Sequence, residues 1–484
     1  MNEKEQLDEE TLARRKAIAK VRMKRKTTVA KVLNWIKAII LIALIIFVLS
    51  FIFFPGWMTF AKEGNLDQYA SSQGLNPKLD TAVSAAEEGK APEKEPEPAL
   101  PPEPVYETVS IRCIGYIMAH QAQVEGAYDS ATDTYDFSGH FQYVAPYVAA
   151  ADLTIANVET TFKGSGPYKG YPSFNAPDVL AANIRDMGVD VGLLANNHIM
   201  DQGLSVLERS IDHLRENGMD VAGCQHAGEK RYLIEDVKGV KVGIVAYTYE
   251  TPRNGGKRTI NAAVLSSEAE EVINSFTQDS YEVLAKDLEV IRTRIEECRA
   301  DGAEVMVVYM HWGEEYQKAG NPFQHYMADY LANNGADIVF GSHAHVPQDI
   351  ELVEGKDAQG NPKTVPVFYC MGNFVSNQRS ETLTGTYGAA AATRTEQELI
   401  ACIDLTFNMT DRTFVIDRTS FIPLWVDREK LSSGKYNYGV IPLTEGFENN
   451  EMLVRTGHVK RAQDALAAMT ALIGEEFLNT EPIQ

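Results

Sequence analysis

Residues 336–348 read ADIVFGSHAHVPQ. The run IVF is β-branched and aromatic with no polar break, the composition of a strand covered on both faces, as in a parallel sheet flanked by helices. Immediately after it the sequence turns polar, with His343 and His345 two residues apart. Open α/β sheets bind ligands beyond the carboxyl ends of their strands. A buried strand that empties into two imidazoles therefore predicts an α/β domain with a site along one edge of its sheet.

The same pattern recurs to either side. TVSIRCIG (108–115), DLTIAN (152–157), DVGLLAN (190–196), KVGIVAYTY (241–249), AEVMVVYM (303–310) and TVPVFYCMG (364–372) read as strands. Between them, 177–187, 203–217, 281–300 and 321–334 carry apolar residues at helical spacing. The alternation predicts a partly parallel sheet in an α/β domain. ELIACIDLTF (398–407) and RTFVIDRTSFIPLWV (412–426) read as an antiparallel pair closing the sheet. The domain is expected over 107–430, with 431–484 a tail holding one amphipathic helix near 458–475.

Composition narrows the function. The chain has 484 residues, 44% hydrophobic, and a formal net charge of -22. Residues 1–37 hold eleven Lys/Arg against five Asp/Glu, a local +6, so the remainder carries -28. An acidic body repels nucleic acid at long range, which excludes a general DNA or RNA binder. The five cysteines lack CxxC spacing and lie mostly in apolar runs, which fits buried thiols better than disulfides or a zinc knuckle.

Residues 38–54, AIILIALIIFVLSFIFF, are uncharged and apolar. Extended to Met58 they reach the ~20 residues that cross a bilayer as a helix. The cations before this run place the basic segment 1–37 in the cytoplasm by the positive-inside bias, with the main domain extracellular and the protein single-pass in the cell membrane. The linker 59–106 contains EEGKAPEKEPEPALPPEP (87–104), too rich in Pro and Glu to bury apolar area, and reads as an extended spacer.

Polar residues gather where strands end. Asn157 and Glu159 follow one strand, Asn196, Asn197 and His198 another, His311 and Trp312 a third, His343 and His345 a fourth, and Asn373 a fifth. Imidazoles, one carboxylate and an amide oxygen form a donor set for a divalent metal ion such as Zn, Mn or Fe.

These residues carry a resemblance. NVET (157–160), LANNHIMDQG (194–203), HWGEEY (311–316), GSHAHVPQ (341–348) and MGNFVSNQ (371–378) resemble, in order, the motifs of the CapA/PgsA poly-γ-glutamate capsule-synthesis proteins. That family is similar to calcineurin-like metallophosphoesterases, which implies a four-layer α/β/β/α sandwich with a dinuclear metal centre. By position, Glu159 resembles the bridging acid; Asn197, His311 and His343 would hold one ion and His345 the other. His198 resembles the residue that protonates a leaving group. Asp201, just before the 203–217 helix, reads as its N-cap.

The chain departs from the family in IRCIGYIMAH (111–120), where the family pattern resembles Gly-Asp-Ile-Met and Tyr116 stands at the Asp position. A phenol, with an ordinary pKa of about 10 against about 3.9 for Asp, brings no charge unless a metal deprotonates it. Three outcomes stay open: a one-ion site, a two-ion site with Tyr116 as phenolate and His120 as substitute ligand, or a degenerate site that binds without catalysing.

For an anionic polymer, Arg253, Lys257 and Arg258 in TPRNGGKRT (251–259) are candidate contacts, with Asn373 and Asn377, and Lys163 and Lys169. The resemblance implies a part in synthesis, export or processing of poly-γ-glutamate alongside capsule synthetase subunits. Metal-dependent hydrolysis, non-catalytic polymer binding as a scaffold, and cell-surface phosphoester hydrolysis are the readings to separate.

Overall fold

The computed structural model describes residues 103–357 and 360–483. Its strands fall mainly into two seven-stranded sheets. In the first, strands β1 (Tyr106–Ile117), β2 (Leu153–Val158), β3 (Val191–Leu193) and β4 (Asp220–Ala222) run parallel. In the second, β5 (Leu233–Val237) pairs antiparallel with β6 (Val240–Tyr249), and β7 (Ser275–Phe276), β6, β8 (Val305–His311), β9 (Ile338–Ser342) and β11 (Pro362–Phe368) run parallel. Antiparallel β10 (Ile350–Lys356) closes that edge. Strands β12 (Gln397–Asn408), β13 (Thr413–Lys430) and β14 (Tyr436–Pro442) complete the first sheet, giving the order β14-β13-β12-β1-β2-β3-β4.

Side-chain alternation explains the layers. In β8, Val305, Val307 and Tyr309 meet Ile111, Ile155 and Val191 of the first sheet in the central core, while Met306, Val308 and Met310 face outward. Both faces of these strands are thus apolar, as their uninterrupted hydrophobic runs require. The outer face of the first sheet is covered by helices α1 (Val179–Asp186) and α2 (Leu204–Glu216), through Leu180, Ile184, Leu207 and Ile211. The outer face of the second is covered by α3 (Tyr281–Ala300) and α4 (Pro322–Asn333). Leu284, Leu288, Ile291 and Ile295 of α3 recur every three or four residues and form one buried stripe. The result is the expected α/β/β/α stack.

The segment after residue 430 is integral to it. β14 pairs with β13 from Pro442 opposite Leu424 to Tyr436 opposite Lys430. Helix α5 (Val459–Ile473) inserts Ala462, Ala465, Met469 and Ile473 into the central core.

The membrane-spanning helix is corrected: among the described residues, no helix is long and apolar enough to cross a membrane. The longest, α3, has 20 residues but bears charged side chains all along its outer face, and a charge at the bilayer centre costs about 3 kcal/mol. The run 38–58, with the 1–37 segment and the linker as far as 102, lies outside the described residues. Single-pass anchoring, a cytoplasmic N-terminus and an extracellular domain find no support in this structure.

Candidate functional site

The parallel strands of both sheets end on the same side, and their polar residues meet there. Glu159 follows β2 and is fully buried; its Oε2 accepts from Asn157 Nδ2 at 2.9 Å and lies 3.9 Å from His311 Nε2 at the end of β8. His311 Nε2 also stands 2.9 Å from Asn197 Oδ1, beyond β3. The loop carrying Asn197 and His198 is fixed by Asn196, whose Nδ2 donates to Asn157 Oδ1 and the Val158 carbonyl while its Oδ1 accepts from the His198 backbone N–H. Side chains 114 positions apart are thereby brought into contact.

The turn after β9 aims the remaining imidazoles. His343 and His345 have φ of 107° and 59°, left-handed values that cost a non-glycine residue about 1–3 kcal/mol and cluster at functional sites. The His343 ring lies 4.5 Å from the Tyr249 ring and 4.9 Å from that of His311. Next to them Gly341 permits a close crossing, since a Cβ there would lie 2.3 Å from the Tyr369 carbonyl oxygen. His345 is oriented by Asn373: Nδ1 donates to Oδ1 at 2.9 Å, and the Asn373 amide N–H group donates to the carbonyls of His345 and Thr395. This directs Nε2 to 3.9 Å from Glu315 Oε1.

Electrostatics divide the group. Burial pushes the Glu159 carboxyl up to about 8, against the opposing effects of His198 and Asn157. Burial lowers His311 and His343 well below the usual imidazole range, helped by neighbouring histidines, and takes His345 down to about 4. His198 goes the other way: burial lowers it, but the hydrogen bond from Nδ1 to Asp201 Oδ2 at 2.8 Å and the nearby Glu159 outweigh that. His198 is the one imidazole of this group poised to carry a proton.

Tyr116 is fully buried on the last turn of β1. Its hydroxyl accepts from the His345 backbone N–H at 3.3 Å and lies 3.7 Å from Cys370 Sγ. Its ring centroid is 4.6 Å from that of His345. Burial, then Cys370 and Glu159, push the phenol well above its ordinary range, so it remains neutral. His120 adjoins the group through Phe174, whose ring packs edge-on to both His120 at 5.3 Å and His198 at 4.8 Å; His120 Nε2 is buried without a partner, and burial followed by His345 and His198 lower the imidazole to about 3.

Other sequence candidates have different partners. Arg258 pairs with Glu250 at 3.0 Å and Asp287 at 3.4 Å, which commits it to holding a small three-stranded sheet in place. Arg253 and Lys257 are exposed on the same sheet; its far turn brings Asn261 Oδ1 to accept from Asn197 Nδ2 at 3.2 Å. Asn377 Oδ1 accepts from Arg428 and Tyr438. Trp312 is buried, its indole N–H donating to the Tyr369 carbonyl. Lys163 and Lys169 are both exposed on the loop preceding Asn175.

Asp201 is not the N-cap of α2, which is Gly203; its carboxylate accepts from both His198 and the Phe174 backbone N–H. The spacing of three from His198 was the available signal. Tyr249, packed on His311 and His343, had none, because its strand reads simply as core.

A divalent ion is tested by what these donors lack. Glu159 Oε1, His311 Nδ1 and His343 Nδ1 are buried without a hydrogen-bond partner, and each such group costs about 1–3 kcal/mol. Among the described residues, no three His, Cys, Asp or Glu side chains are grouped so as to hold a metal alone. The Asn197 oxygen adds a donor outside those residue types, so the donor chemistry fits one ion on the Glu159 side. On the Tyr116 side the buried phenol supplies no charge.

A four-layer sandwich with a buried, histidine-rich pocket at its parallel strand ends defines the class of protein. Over residues 110–378 the chain matches the family described as bacterial capsule synthesis protein PGA_cap, more than half its length, and it belongs to that family. It is 27% identical over 246 residues to the PGA biosynthesis protein CapA of Bacillus subtilis, covering 49% of this chain and 57% of that protein. It is also 27% identical over 248 residues to the capsule biosynthesis protein CapA of Bacillus anthracis, covering 49% and 54%. The match thus spans little more than half the length of these relatives. Among solved structures, the calcineurin-like phosphoesterase YfkN from Bacillus subtilis overlays at a TM-score of 0.36 with 15% identity, covering 75% of this chain and 99% of that one. A likeness this loose adds nothing to the strand order given above.

Proposed function

We propose that this protein acts on an anionic capsule polymer of the poly-γ-glutamate type through a one-ion hydrolytic pocket. The observation that carries the reading is the meeting of Glu159 Oε2, Asn197 Oδ1 and His311 Nε2, with separations of 3.9 and 2.9 Å from the imidazole nitrogen. Glu159, Asn197 and His311 would hold a divalent cation such as Zn, Mn or Fe, with the His343 ring packed beside them. When bound, such an ion polarises a carbonyl or phosphoryl oxygen and acidifies water. His198, oriented by Asp201, whose hydrogen bond favours the protonated imidazole, donates a proton to the departing amine or alkoxide. Asn373 fixes the His345 ring at the edge of the pocket. Membership in a capsule synthesis family supports the polymer and, with it, capsule synthetase subunits as partners.

A second reading, polymer binding without turnover, is favoured by Tyr116, which supplies no charge for a second ion. Metal content per purified chain and release of amines from poly-γ-glutamate separate the two. One ion per chain with turnover abolished in His198→Gln supports hydrolysis. Polymer binding with no turnover at any metal loading supports the second reading, and binding of neither metal nor polymer overturns both.

A further inference from the structure

Three tyrosine rings stand against the imidazoles of the site, and two of them are exposed. Tyr171 is 71% exposed, its ring edge-on to His198 at 6.4 Å. Tyr387 is 48% exposed and lies 4.2 Å from Tyr316, whose ring in turn stacks on His345 at 5.8 Å. Tyr387 ends a helix, Ser380–Tyr387, none of whose residues is buried, so the core does not call for a ring there. Tyr316 has a φ of 62°, pinned by its backbone N–H donating to the Ala344 carbonyl at 2.7 Å. A bulky side chain in the left-handed region is a departure worth about 1–3 kcal/mol, and here it holds the ring over His345.

Tyr171 thus stands against His198 and the Tyr316–Tyr387 pair against His345, two imidazoles of the same cluster. The rim between them is a poor seat for a carboxylate, because Glu314 and Glu315 are exposed beside it. The cations lie elsewhere: Arg253 and Lys257 are on the small sheet whose Asn261 turn touches Asn197. Flat faces suit aromatic walls, while carboxylates suit Arg and Lys.

We propose that Tyr171 and the Tyr316–Tyr387 pair form a clamp that grips the planar amide backbone of the polymer over the pocket, while Arg253 and Lys257 hold its side-chain carboxylates. The proposal rests on the polymer reading above and deepens it, because it makes the amide linkage, as well as the negative charge, the recognised feature.

The test measures calorimetric binding of poly-γ-glutamate and of polyacrylate, a polycarboxylate without amides, at several salt concentrations. The full chain, Tyr171→Ala/Tyr387→Ala and Arg253→Ala/Lys257→Ala are compared, with circular dichroism as the control for folding. The clamp predicts that the tyrosine variant binds poly-γ-glutamate about tenfold or more weakly with an unchanged salt slope, that the cation variant loses salt slope, and that polyacrylate binds the wild type no better than poly-γ-glutamate binds the tyrosine variant. Equal binding of poly-γ-glutamate by the wild type and the tyrosine variant overturns the clamp alone, as does tight binding of polyacrylate. A wild type that binds neither polymer overturns the polymer function with it.

Discussion

On one side of the site, Glu159 Oε1, His311 Nδ1 and His343 Nδ1 are buried without a hydrogen-bond partner, while Glu159 Oε2, His311 Nε2 and Asn197 Oδ1 are held close together. On the other, Tyr116 and His345 are satisfied: the phenol accepts from the His345 backbone, and the imidazole donates to Asn373. Equivalent strand ends thus differ in how completely their polar atoms are paired. The difference teaches that a neutral phenol can occupy a strand end beside the imidazoles without disturbing the strands beneath.

The largest effect should come from the Tyr116 side. Tyr116→Asp removes a fully buried ring and leaves a carboxylate in its place, so it should destabilise the protein by about 3–5 kcal/mol in the absence of divalent ions. Added Mn should restore part of that loss and raise metal content from one ion per chain to two. Thermal melts with and without Mn, and metal analysis, check both. If Mn restores nothing, the contrast between the sides is not one of charge.

Breaking the Glu159 side should be nearly as costly for binding. Glu159→Gln keeps the shape but removes the only carboxylate of that donor set, and divalent-ion affinity should fall about 100-fold or more by titration calorimetry. Asn373→Ala acts from behind: it frees the His345 ring while leaving Glu159 and His311 untouched. It should reduce polymer turnover about tenfold while metal content stays constant, an outcome that separates orientation from ligation.

The smallest effect lies outside the pocket and serves as a reference. Burial, then Asp220 and Asp190, raise the half-buried Glu235 on β5 to about 7 from its ordinary 4.5. The folded state therefore holds this proton more tightly than the unfolded state. The contribution is fully present below pH 4.5 and declines as pH rises through 7. Glu235→Gln should remove that decline and stabilise the protein by about 1–2 kcal/mol at pH 8, allowing for solvent screening. Urea melts across pH 4 to 8 measure this, and ion binding in the pocket should be unchanged.

Much of the fold was legible because buried strands advertise themselves. Uninterrupted runs such as VMVVYM have apolar residues on both faces, and both faces proved covered. The pocket residues were legible for a related reason, since polar groups directly after such runs must lie at a sheet edge. The ion pairs of Arg258 were not legible because its partners Glu250 and Asp287 sit on other elements, one of them 29 residues away. The C-terminal segment read as a tail because its edge strand, Tyr436–Pro442, is short and two of the four residues its helix buries are alanines.

By itself, then, the sequence determined the layers, the family and the one substituted position, Tyr116, because these depend on local patterns of apolarity and on motifs read in order. Only the tertiary structure decided which polar atoms meet: Asp201 with His198, Asn373 with His345, Asn197 with His311. The physical reason is that these contacts arise where loops from the ends of two packed sheets converge, and the way the sheets pack is set by the whole core and by no single stretch of the chain.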